Sequence, residues 1–151
     1  MKTPLALLAL ALAIPAAYAD VPNACEILKV DEINTIAAGT VEKVQQQKAG
    51  NPSVCGFMDS RKGAVLVLSI REVQYAVENE LQYERENLEK IYKGRVKWLT
   101  GQVGENAFWM PINKQLVFRK GKKIVSVTFS REKNQNEVDS ASIARMVEAR
   151  L

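Results

Sequence analysis

Cys25 and Cys55 are the chain's two cysteines, and the residues ahead of them decide which chemistry they can do. Met1 and Lys2 open a leader in which Leu5 to Ile14 is built only of Leu, Ala and Ile, followed by Ala17-Tyr18-Ala19. A basic start, an apolar stretch too short to span a bilayer and small residues at an A-x-A site are the marks of a secretory signal peptide. Cleavage after Ala19 leaves 20–151 as the mature chain, with no transmembrane segment expected in it. The compartment implied is oxidising, most simply a bacterial periplasm. There an isolated cysteine pair is expected to be bridged rather than reactive. One Cys25–Cys55 disulfide follows, and closing a loop of this length stabilises a fold by roughly 3 to 4 kcal/mol in the chain-entropy treatment. No cysteine directly follows the cleavage site, so a lipoprotein-type anchor is not expected.

The chain contains no histidine. Ser-His-Asp and Cys-His machinery is therefore excluded, and a bridged cysteine pair leaves too few ligands for the usual zinc centres. Carboxylate pairs remain as an acid/base resource. Glu78, Glu80, Glu84, Glu86 and Glu89 lie on one predicted helix, where Glu86 to Lys90 and Glu89 to Lys93 have the i,i+4 spacing of surface pairs. They read as a solvated face. No catalytic residue, metal or cofactor is expected, and the protein reads as a non-enzyme.

The mature length suits one domain that buries about two-thirds of its unfolded-chain surface. Asp31 to Ala38 reads as a helix with Val30, Ile33, Ile36 and Ala37 as its stripe and Gly39 as its C-cap. Val41 to Lys48 gives neither a helical nor a strand pattern. After a loop over 50–53, Val54 to Met58 reads as a strand, and Ala64 to Ile70, apolar on both faces, as a central one. Val73 to Tyr92 is the longest predicted helix, with Val73, Val77, Leu81, Leu88 and Tyr92 as its stripe. Strands are expected at Arg95 to Leu99, Ala107 to Met110, Gln115 to Arg119 and Ile124 to Phe129. A closing helix is capped by Asp139 or Ser140, with Ile143, Val147 and Leu151 inward. The order predicts an α+β domain over 20–151: an antiparallel sheet with helices packed mainly on one face, held by one disulfide.

Several short motifs point in a common direction. They are Ala24-Cys25-Glu26-Ile27-Leu28, Asp31-Glu32-Ile33, Cys55-Gly56-Phe57, the run from Gly101 to Trp109, Leu116-Val117-Phe118-Arg119 with Gly121, and the final helix from Ile143 to Leu151. In these the chain resembles small exported bacterial domains of unknown function, often lipoproteins, with a PsbP-like α+β fold. The resemblance implies a fold; it carries over no catalytic residue.

Charge is uneven along the chain. Acidic residues outnumber basic ones from Asp20 to Tyr92, whereas basic residues outnumber acidic ones by more than two to one from Lys93 onward. The densest basic cluster is Arg119-Lys120-Gly121-Lys122-Lys123, at a predicted hairpin turn, where it could meet an acidic protein, a phosphate or an anionic envelope surface. Lysines at such a turn also keep a sheet edge soluble. Phe108 and Trp109 are adjacent in a strand and so point to opposite faces; if one is exposed it is a candidate partner anchor. Nucleic acid is a poor partner for an exported chain. The function expected is binding, as a protein–protein module such as an inhibitor or immunity protein. The alternative is an envelope accessory protein that binds an anionic lipid or polysaccharide.

Overall fold

The computed structural model describes residues 21–74, 77–93 and 95–151; the leader and its cleavage site lie outside the described residues. Asn23 accepts a hydrogen bond from the Cys25 N–H and starts α1 (Ala24–Ile27). Glu32 reaches back to the Lys29 N–H at 2.9 Å and starts α2 (Val30–Asn34). The single helix expected over 31–38 is therefore two short ones. Its end comes early because Asn34 turns its side chain to the Val41 backbone, accepting from the N–H at 2.8 Å, while the Thr35 hydroxyl donates to the Glu32 carbonyl. Gly39 lies beyond the helix, under the Arg131 side chain, and caps nothing.

Among the described residues, seven strands form one antiparallel sheet in the order β1-β2-β3-β7-β6-β5-β4. The strands are β1 (Lys43–Lys48), β2 (Ser53–Met58), β3 (Ala64–Glu72), β4 (Lys97–Trp98), β5 (Asn106–Met110), β6 (Gln115–Lys120) and β7 (Lys123–Phe129). β3 lies inside the sheet between β2 and β7, as its unbroken apolar run requires. β1 explains the segment that showed no pattern: it is an edge strand with all six residues exposed, so neither face imposes an apolar alternation. The strand expected over 95–99 shrinks to two residues. Val73 donates its N–H to the Lys122 carbonyl at 2.9 Å and so belongs with the strands, while the long helix, α3, spans Val77–Tyr92.

Register alternation separates two apolar layers. On one face Cys55, Phe57, Leu66, Leu68, Phe118 and Val127 pack against Ala24, Leu28 and Ile33 of the N-terminal helices and Ile143 and Val147 of α4 (Glu137–Glu148). The Cys25–Cys55 disulfide joins α1 to β2 within this layer. On the other face Phe108, Val117 and Ile124 pack with Leu81 and Leu88 of α3. α1, α2 and α4 thus share one face and α3 lies on the other, because β5 and β6 carry apolar side chains at consecutive positions and leave both faces to be covered. Each fully buried Phe or Leu contributes about 1.5–3 kcal/mol. The cap of α4 is Asn136, three residues upstream of the expected Asp139; its side chain accepts from the Asp139 N–H at 2.9 Å, and Ser140 is buried inside the helix.

Candidate functional site

The basic cluster forms the two-residue β6–β7 turn, closed by the Lys120–Lys123 pair, with Gly121 at φ +56°. A left-handed first turn residue suits glycine and matches the twist of the flanking strands. The tip is braced from outside. Glu105 accepts from the Gly121 N–H at 2.8 Å through one carboxylate oxygen and pairs with Arg119 at 2.7 Å through the other. The Glu105 N–H in turn donates to the Arg119 carbonyl at 3.0 Å. Lys120 lies 3.6 Å from Glu148 of α4. Arg119, with a side chain only 16% exposed, is thus a bracing group, whereas Lys122 is exposed and Lys123 half-buried beside it.

Gly104 permits this bracing. At φ +59° it passes so close to β6 that a Cβ would stand 2.4 Å from the Arg119 carbonyl oxygen. Only glycine meets both conditions without strain. Ala107 and Phe108, which follow in β5, are both fully buried.

Phe108 and Trp109 are not surface anchors. Their side chains do diverge, but α3 covers one face of β5 and the main core the other, leaving Phe108 at 0% and Trp109 at 6% exposure. The aromatic that does reach the edge is Trp98, half-buried, edge-on to Phe108 at 6.1 Å and capped by the Arg85 guanidinium 4.5 Å from its ring centroid. Its adjacency to Arg85 of α3 depends on tertiary packing and leaves no mark in spacing.

At the opposite end of the sheet the chain builds a depression that sequence reasoning missed. Asp59, at the end of β2, accepts from the Arg61 N–H at 3.0 Å and the Gly63 N–H at 2.7 Å through one oxygen and pairs with Arg131 through the other. Arg131 lies after β7, 72 positions along the chain from Asp59, so no local pattern in the sequence joins them. Buried Asn134 fastens the third wall: it accepts from the Ala38 N–H at 2.5 Å and donates to the Ile36 carbonyl at 2.9 Å and to Asp139 at 2.6 Å.

Away from both places, the Arg150 guanidinium and the Lys29 N–H hold the Glu32 carboxyl well below its usual range, at about 2, and Glu32 raises Arg150 in return. No cluster of three or more potential metal ligands occurs among the described residues, and no helix of them is long and apolar enough to cross a membrane. In comparisons with known proteins, no family model, no curated protein and no solved structure matches the chain.

Proposed function

We propose that this is an exported, periplasmic binding protein, mature from Asp20, which acts without catalysis as a protein–protein module of the inhibitor or immunity-protein kind. The observation that supports the reading best is the mounting of the basic hairpin. Arg119 and the Gly121 N–H are both held by Glu105, so Lys120, Lys122 and Lys123 stand on a backbone already ordered. A pre-ordered element loses less freedom on binding, and a cluster of one sign steers an acidic partner toward it. The likeness to exported PsbP-like domains belongs to the same proposal.

Crosslinking in the periplasm, followed by identification of the captured protein, tests the reading directly. Changing Lys120, Lys122 and Lys123 together to Ser should weaken binding of that partner and flatten its dependence on salt, with the fold retained. Unchanged affinity and salt response in the triple variant would move the interface elsewhere. The second reading, an anionic lipid or polysaccharide, is favoured by the wholly polar tip, which offers charge without an apolar anchor. Salt-sensitive binding to anionic vesicles, lost in the same variant, would select it.

A further inference from the structure

The depression at the other end of the sheet, about 380 Å³ in volume, is bordered by the 38–42 segment, the β2–β3 turn and Arg131. We propose that it binds a small zwitterion carrying both a carboxylate and an ammonium group, of the free amino-acid or short-peptide kind. This holds whether or not the basic hairpin is a partner site.

Arg131 is the fixed element. A Cβ on Gly63 would stand 3.2 Å from its Nη2 and one on Gly39 3.5 Å from its Nε, so two glycines leave room for the guanidinium. Asp59 holds it from one side through Nη2. Its Nη1 and Nε have no hydrogen-bond partner among the described residues, which leaves donors in a planar array suited to a carboxylate.

The walls are braced as well, by Asp59 within the turn and by Asn134 across to Ala38. Such bracing distinguishes a preformed site from a chance dent between mobile loops.

The remaining charges set the ligand class. Arg61 and Glu42 both border the depression, and neither side chain has a partner among the described residues. Asp59 already offsets Arg131, so the lining carries two charges of each sign: a simple anion would meet Arg61 and the open side of Arg131 but face Glu42, and a simple cation would meet Glu42 but face Arg61. A molecule with both signs satisfies all three groups, and the Thr40 and Ser60 hydroxyls can take its remaining polar atoms. The volume lies in the range of small-molecule sites.

Titration of the full mature protein by amide NMR, with glycylglycine, glycine, acetate, methylammonium and phosphate as separate probes, tests this. Saturable shifts at Thr40, Ser60 and Arg131 are expected with glycylglycine or glycine and only weak ones with the single-charge probes. The stronger of the two zwitterions tells peptide from amino acid. Arg61→Gln should lower that affinity about tenfold, or about 1.4 kcal/mol. Glu42→Gln should weaken the zwitterion while strengthening acetate, because the carboxylate that opposes an anion is gone; both positions border solvent, so the fold should survive. Equal binding of acetate and the zwitterions, a phosphate preference, or no saturable shift at these residues would overturn the assignment.

Discussion

Gly104→Ala is the sharpest test of how the basic hairpin is held. The added methyl would lie 2.4 Å from the Arg119 carbonyl oxygen and 2.9 Å from a ring carbon of fully buried Phe118, on a backbone at φ +59°. The left-handed conformation alone costs alanine about 1 kcal/mol. The close contact is with backbone, so no rotamer relieves it. Either the 101–106 loop moves away, losing the Glu105 N–H to Arg119 bond at about 1 kcal/mol, or Phe118 is displaced, an overpacking cost of about 1–3 kcal/mol. The sum is about 2–4 kcal/mol. With a urea slope of about 2 kcal/mol/M, the unfolding midpoint should fall by roughly 1–2 M. Gly101→Ala is the control: its φ is +72°, but no atom stands within 4 Å of the new Cβ. It should cost only the conformational part, about 1 kcal/mol, for a midpoint shift of roughly 0.5 M. Equal shifts in the two variants would refute the close-approach argument and, with it, the claim that Gly104 mounts the hairpin.

Further outcomes are expected for other parts of the fold. Replacing Cys25 and Cys55 together by Ala should lower stability by about 2–5 kcal/mol in denaturant unfolding, leaving partner binding by the folded fraction intact. The mass of the extracted protein should begin at Asp20 and lie two hydrogens below that of the reduced chain. Phe108→Ala should cost about 3–5 kcal/mol of stability, as a core deletion does, and leave the affinity of the folded protein unchanged. Because the folded Glu32 carboxyl sits at about 2 against an ordinary 4.5, its contribution is complete above about 4.5 and is lost as pH falls toward 2. Glu32→Gln should flatten that acid limb in pH-dependent unfolding; an unchanged limb would assign the acid sensitivity elsewhere.

Where one face of an element meets the core, the sequence reported it well. β7 alternates because Val125, Val127 and Phe129 are buried while Ser126 and Thr128 are only half so, and α4 shows Ile143 and Val147 at its inward spacing. Legibility failed where tertiary contact replaces periodicity. β1 has no buried face to pattern it. α2 ends where Asn34 finds a backbone partner seven residues on, and α4 begins at an asparagine upstream of the two expected caps, Asp139 and Ser140. The site was legible in part for the same reason. A basic turn is local and visible as five consecutive residues, whereas Arg131 meets Asp59 across 72 positions of chain. The aromatic pair misled because adjacency in a strand predicts opposite faces but says nothing of whether a helix waits on each.

The hairpin and the depression stand at opposite ends of β7, whose seven residues run from Lys123 to Phe129, with Arg131 two residues beyond. At about 3.4 Å per residue the strand is roughly 24 Å long. That is about three Debye lengths at physiological ionic strength, roughly 8 Å each, so the lysines at one end exert little field at the other. The two surfaces should therefore answer salt differently. Binding at the hairpin depends on exposed charge and should fall steeply as salt is added, while a zwitterion seated on a fixed guanidinium has little net charge to screen. A ligand whose affinity survives high salt and the loss of all three lysines belongs to the Arg131 end, and one that loses affinity under both belongs to the hairpin.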